Sequence, residues 1–403
     1  GSFLTTSGTF QHNNGTLYFT SGSAESVTFA GTAFTNVARN LWFQGAGSWT
    51  VTDSNATSTN NVVVQQGTLN LPSGVMAIGG SLRDIGGVYA GGTGTVRFYS
   101  SSAQVLTAGG SSFNNVTFDG AGSWSFTDTN VSVSRNLLVQ QGTLTLPSVA
   151  ILIAGSYDNN ATVVPGTGTV QFNSNDAGET IDFGASSLYN VVFSNATGGW
   201  TVTSNGTTTN NLTITTATSL TVNSGVTLSV GGTFTNSVGG AATTWTGSTL
   251  ALRAGNYSLN TKVNTGDTYG NIVVDAGVKI AMWNSSATVY NVNGTGSLYS
   301  QDHNAVDGDL YIFGGYTRTS GTEYWSYATD FDGTALGGSS RQVDVRLASG
   351  ATAAFTGATL NVTGISAAST TIANQGSGTY TVAVTGGAMT AQYYEFSNLG
   401  ATG

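Results

Sequence analysis

The hydrophobic positions of this chain fall in short runs that alternate with a period of two. In VTLSV (226–230), Val226, Leu228 and Val230 share one face, and Thr227 and Ser229 take the other. This is the pattern of a strand with one buried side. The runs are bounded by Gly, Asn or Ser, which favour turns. Four of them, GTVQF (168–172), YNVVF (189–193), NLTIT (211–215) and GTFTN (232–236), recur about every 21 or 22 residues. Their shared place in that rhythm predicts that Val170, Val192, Leu212 and Phe234 point inward.

A longer period overlies the short one. WTVTDSNATSTNNVVVQQGTLNLPSG (49–74) returns as WSFTDTNVSVSRNLLVQQGTLTLPS (124–148) and again, more loosely, as WTVTSNGTTTNNLTITTATSLTVNSG (200–225). Trp49, Trp124 and Trp200 lie 75 and 76 residues apart, and Asn61, Asn136 and Asn211 lie 75 and 75 apart. A fixed period marks a repeat architecture. The organisation read from it is an N-terminal edge (1–14), three tandem repeats of about 75 residues (15–240) and a divergent continuation (241–403). A rung of about 21 residues cannot bury its own apolar row, so it stacks on its neighbours about 4.8 Å away. The expected fold is all-β, a parallel β-helix or β-solenoid, with the right-handed form favoured. An array of β-sandwiches would also space strands closely, but it needs linkers between units. GTGTV follows directly on the strand before it.

The phrases GTLTLPS (142–148), NNVTF (114–118), VGGTFTN (230–236) and GTGTVQF (166–172) resemble the β-helical repeats of large bacterial surface proteins. These are adhesin-like, filamentous-haemagglutinin or autotransporter-type passengers. The resemblance covers about 14–240 well and 241–403 more loosely. It implies a secreted, surface-attached or fibre-forming role, outside the cell or on its surface.

Composition agrees with a strand protein. Charged residues are 7% of the 403, Gly numbers 57, and there are two lysines and four glutamates, too few of the strong helix formers for long helices. The net charge of −9 argues against a nucleic-acid partner, whose phosphates need a basic face. No apolar run reaches the roughly 18 residues of a membrane helix. Cysteine is absent, which removes disulfides and thiolate metal sites. Both ends, GTFQHNNGTLYF (8–19) and AQYYEFSNLGATG (391–403), read as rung-like strands with no visible cap. Uncapped rungs expose unpaired backbone groups, so copies of the chain stacked end to end, or further repeats, are the expected partners.

Candidate chemistry concentrates in one segment. Between 300 and 346 stand Asp302, Asp307, Asp309, Arg318, Glu323, Asp330, Asp332, Arg341, Asp344 and Arg346, with His303 and a run of aromatics. Carboxylates beside flat rings suit sugar recognition, which nominates Asp302, Asp307, Asp309, Tyr316, Tyr324, Trp325 and Tyr327 as a glycan-binding set. DFDGT (330–334) has the form of a cation-binding turn, with Asp330 and Asp332 offering oxygen to Ca²⁺. The competing reading is a solvated, loop-rich insertion. Paired carboxylates of the same segment, with Arg341 or Arg346, could also serve a polysaccharide hydrolase or lyase, but no nucleophile motif accompanies them and no enzyme is expected. The three repeated tryptophans read as core plugs in preference to sugar platforms. The T-x-T pairs Thr50/Thr52, Thr201/Thr203 and Thr213/Thr215 resemble an ice-binding face, yet the pattern breaks at Ser125–Thr127.

Overall fold

A computed structural model describes residues 1–5, 14–29, 37–238, 242–253, 256–258, 267–274, 279–282, 287–294, 297–300, 310–312, 316–318, 322–326, 344–364, 369–374 and 376–400. Every regular element among them is a strand. The strand pairings described are parallel, and strands stack as a β-solenoid with rungs about 21 residues apart. The chain forms two compact units, Gly1–Val191 and Val192–Gly403.

In the first unit most strands pair with the third strand after them, so a rung has three sides; Phe3–Leu4 pairs with the second, Ala24–Thr28. One side runs without a break from Val37–Ala38 through Ala56–Ser58, Val75–Ile78, Thr95–Phe98, Asn115–Phe118, Leu137–Val139 and Tyr157–Asn159 to Glu179–Asp182. Each of the other two is interrupted once. One stops at Leu82–Asp84 and resumes at Ala103–Leu106. The other stops at Val88–Ala90 and resumes at Ser112–Phe113.

Alternation within each strand builds the core. Thr95–Phe98 and Asn115–Phe118 bury Val96, Phe98, Val116 and Phe118 and turn their partners outward. Equivalent residues then stack from rung to rung: the Phe98 and Phe118 rings lie 5.2 Å apart and nearly parallel, and the Phe19 and Phe43 rings 4.6 Å. In the second unit Leu212 sits on Phe234, and both are buried. Val226, Leu228 and Val230 are buried too, as is Val170 in the first unit. Val192 departs from expectation. Asn190–Ser194 buries Val191 and Phe193 and leaves Val192 half-exposed on the outer side. Two adjacent valines make the phase ambiguous, and the larger Phe193 takes the core.

The corners explain the repeated asparagines. Asn61 Oδ1 accepts the N–H of Ser81, 20 residues on and one rung up, at 2.9 Å. Asn136 does the same for Ser156 at 2.9 Å and Asn211 for Thr233 at 2.8 Å. A turn breaks the backbone ladder, and the asparagine carbonyl replaces the missing acceptor.

The repeated tryptophans are core plugs, each 1% exposed or less. Trp49 packs on Phe43, Trp124 on Phe118 and Trp200 on Phe193, with ring centroids 5.3, 5.3 and 5.4 Å apart. Their indole N–H groups, and that of Trp245, have no hydrogen-bond partner among the described residues. An unpaired buried donor costs about 1–3 kcal/mol. Burying roughly 200 Å² of ring stabilises by about 5 kcal/mol, so the ring outweighs its orphan proton. Gly67 and Gly142, each the last residue of a QQG triplet, lie directly over these rings with φ of 75° and 76°. A Cβ at either would come within 3.0 Å of the indole Cζ3 and closer still to the carbonyl of Gly47 or Gly122. The W and QQG of one repeat are therefore two layers of a single packed corner.

Trp124's strand is the eleventh after Trp49's. With three strands to a rung, one repeat is three rungs and two sides. Trp49 and Trp124 consequently occupy different sides of the unit.

The second unit keeps parallel pairing but loses the even rhythm. Register partners are 22 residues apart at Thr249↔Asn271, 35 at Leu310↔Val345, 37 at Thr322↔Thr359 and 29 at Thr359↔Ala388. The widest intervals enclose most of the charged segment.

Replacing the inward Leu212 with Asp buries an unpaired charge, whereas Asp at the outward neighbour Thr213 does not. We expect L212D to lose cooperative unfolding of its region and T213D to melt close to the parent. Circular dichroism against temperature checks this, and equal melting of the two variants would refute the register.

Candidate functional site

Of the residues nominated from 300–346, Asp302, Asp307, Asp309, Tyr327, Asp330 and Asp332 lie outside the described residues. Tyr316 and Trp325 lie within them and are fully buried. Their rings meet each other at 5.9 Å and pack on Phe355 at 5.8 and 5.5 Å. Neither offers a face to a sugar. Tyr324 precedes Trp325 in the strand Thr322–Ser326 and pairs in register with Tyr299 and Asn361. Among the described residues no group of three or more His, Asp or Glu is placed to hold a metal ion.

The structure instead draws attention to a joint that recurs in the first unit, where a backbone ladder gives way to side-chain bonds. At the Leu82–Asp84 break only the bridge Arg83↔Thr107 survives. Ser81 Oγ fills the gap, accepting the Val105 N–H at 3.3 Å and donating to Gln104 Oε1 at 3.0 Å. On the next side Ser111 Oγ accepts the Tyr89 N–H at 3.1 Å and donates to Asp84 Oδ2 at 2.8 Å. The buried Asp84 also takes the Gly87 N–H at 3.0 Å.

Seventy-five residues on, the device returns. Ser156 Oγ accepts the Thr180 N–H at 3.0 Å and donates to Glu179 Oε2 at 2.6 Å. Ser186 Oγ accepts the Val163 N–H at 2.9 Å. The buried Asn159 replaces Asp84, accepting the Ala161 N–H at 3.2 Å and donating to the Phe183 carbonyl at 2.9 Å. Here the ladder persists, pairing Tyr157↔Ile181 and Asp158↔Asp182. The first copy is Ser2, which donates to Glu25 Oε2 at 2.8 Å and accepts the Ser26 N–H at 3.1 Å beside the pair Leu4↔Thr28. The signal was present as spacing, since Ser81 and Ser156, Asp84 and Asn159, and Ser111 and Ser186 are all 75 apart. Serine and aspartate between glycines read as ordinary turn residues, which hid it.

The shared framework carries different surface groups. Leu4, Arg83 and Asp158 occupy one equivalent position, and Thr28, Thr107 and Asp182 another. At the second joint the break opens a cleft of about 400 Å³ lined by Ser81, Arg83, Val105, Thr107 and Thr127, among others. A second cleft of about 450 Å³ lies on the next side, against Gly91, Gly92, Ser111 and Asn114. At the third joint burial, and then the facing Asp182, hold the Asp158 carboxyl above its ordinary value of 3.8.

No known protein family, curated protein or solved structure matches this chain.

A raised carboxyl means that the folded chain holds its proton more tightly than the unfolded one. Stability therefore falls as pH rises from 3.8 through the elevated value and stays lower above it. D158N removes this dependence. We expect it to melt above the parent at pH 7 and to show a smaller gain on acidification to pH 4, by calorimetry at both values. A lower melting temperature at pH 7 would contradict the assignment.

Proposed function

We propose that this chain is an extracellular structural repeat protein, a rigid spacer or fibre-forming surface protein that associates end to end. One observation carries the reading: the last described rung exposes what should be core. Met389 and Ala391 stand in register over Leu360 and Val362, which are fully buried. Met389 itself is 40% exposed. Tyr393, Tyr394 and Leu399 beside it are exposed as well. Thr381–Thr385, Ala388–Gln392 and Tyr394–Phe396 each pair on one side only.

Such an edge is a template for another strand. Natural edges are blunted by lysine, proline or clustered charge, and from 381 to 400 the only charged residue is Glu395. The occupant we assign is a rung of another copy or a further repeat of a longer chain, either of which matches the spacing, the parallel ladder and the apolar rows. A head-to-tail contact of this kind does not close on itself, so it propagates. The repeat phrasing that resembles bacterial surface proteins, the absence of cysteine and the low charge support an extracellular setting. Sugar recognition within 300–346 is the runner-up, and the burial of Tyr316 and Trp325 removes two of its rings.

Light scattering at increasing concentration, with negative-stain microscopy, tests the assembly. We expect the parent to lengthen with concentration, and M389K combined with A391K to stay short at an unchanged melting temperature. Monodisperse parent particles at the highest concentration reached would overturn the proposal.

A further inference from the structure

We propose that the cleft at the second joint is a binding subsite for one acidic saccharide residue, with Arg83 as its anion contact. This inference is independent of the end-to-end reading, because it concerns a side of the first unit and not its ends.

Arg83 has no structural task that would explain it. The first unit contains four arginines and no lysine. Arg39 donates to Asn14, Arg97 pairs with Asp119 at 2.7 Å and Arg135 with Asp176 at 3.1 Å. The exposed Arg83 side chain forms no ion pair or hydrogen bond with any described residue. The joint itself does without it, since the equivalent residues are Leu4 and Asp158 and the bridging bonds run through Ser2, Ser81 and Ser156. A guanidinium that folding does not use, in a chain with ten basic residues against nineteen acidic ones, is free to meet a ligand.

The rest of the cleft narrows the ligand class. No carboxylate lines it. The nearby acids are occupied elsewhere: Asp84 is buried against Ser111 and Gly87, and Asp128 holds the N–H groups of Ala108 and Gly109 at 2.6 and 2.9 Å. The residue that takes the bridging serine's proton is Glu25 in the first joint and Glu179 in the third, and Gln104 here, so at that position the second joint alone carries no charge. A planar guanidinium matches a carboxylate or a sulfate ester through two parallel hydrogen bonds. The hydroxyls of Thr107 and Thr127 lie 2.8 Å apart, and with Thr127 donating to the Leu106 carbonyl at 3.2 Å and Thr107 to Thr127, their remaining lone pairs offer acceptors to sugar hydroxyls. Val105, 48% exposed and two residues before Thr107 on the same stretch of chain, adds an apolar surface for the C–H face of a ring. About 400 Å³ lies in the range of small-molecule sites and exceeds what a bare inorganic anion fills. Charge, paired hydroxyls and an apolar wall together describe an acidic sugar, a uronate or a sulfated hexose.

The test titrates the folded protein with trigalacturonate, galactotriose, a sulfated galactose oligomer and inorganic sulfate. Calorimetry gives affinity, and methyl NMR follows Val105. We expect at least one acidic oligosaccharide to bind and shift the Val105 methyls, with galactotriose and free sulfate at least tenfold weaker. The uronate and sulfated arms identify which acid is preferred. R83Q should weaken binding by about tenfold or more, the loss expected of a charge-assisted hydrogen bond, and R83K should retain part of it. R83L carries the side chain native to the first joint, so it should melt like the parent while losing the ligand. Binding of galactotriose as tight as that of the acidic sugars, an R83Q affinity equal to the parent's, or no Val105 shift with any acidic oligosaccharide would overturn the site. Sulfate ion binding as tightly as the sugars would reduce it to a simple anion site and overturn the saccharide assignment.

Discussion

The structure rests on one bond repeated: a backbone N–H on one rung donating to a carbonyl on the rung beside it. Everything else in the chain keeps that ladder continuous. The alternating strands give it one dry side, so that Phe98 can sit on Phe118 and Leu212 under Phe234. Where a turn removes an acceptor, Asn61, Asn136 or Asn211 supplies one. Where a side of the unit breaks, the hydroxyls of Ser81 and Ser111 do so. Buried backbone groups that lose their partners cost free energy, and this chain meets that cost with short uncharged side chains. That accounts for its richness in Ser, Thr and Asn and its poverty in charge better than any solubility argument does.

The joints follow from a mismatch of periods. From Trp49 to Trp124 the repeat is eleven strands long, from Trp124 to Trp200 it is ten, and the rung of the first unit is three, so identical sequence cannot lie on identical sequence. Trp49 meets the QQG of its own repeat one rung up, because Gly67 has no Cβ to collide with the indole. Elsewhere the two periods fall out of step, and two sides of the first unit are interrupted between residues 84 and 112. The joint absorbs the discrepancy with local bonds that leave its outward positions unconstrained. Leu4, Arg83 and Asp158 show how different those positions can become on one framework.

Much of this was legible in the residues. Period-two alternation located the core row at Val170, Leu212 and Phe234, and the 75-residue spacing singled out the tryptophans and the asparagines. YNVVF allows two phases, and only packing chooses between them, which puts Val191 and Phe193 in the core and Val192 outside it. Tyr316 and Trp325 stand among charged residues in sequence. Strand alternation and the ring of Phe355, 355 being well beyond that segment, put both in the core. The joints are not legible in the residues, because a serine that bridges rungs and a serine in a loop are the same letter. Arg83 is visible only as a departure from its own repeat, and that departure acquires meaning once Leu4 and Asp158 are seen to share its place.

The eleven-strand unit also bears on how such a chain can lengthen. Duplication in a gene copies whole repeats. Each inserted copy would carry the next corner tryptophan to a new side of the prism, as the step from Trp49 to Trp124 already does. Only a third insertion returns a motif to its starting side. A recognition group written once per repeat would therefore be displayed like steps on a spiral stair, facing three ways in turn, and a surface meeting such a lengthened solenoid from any direction would find one in every three copies turned toward it.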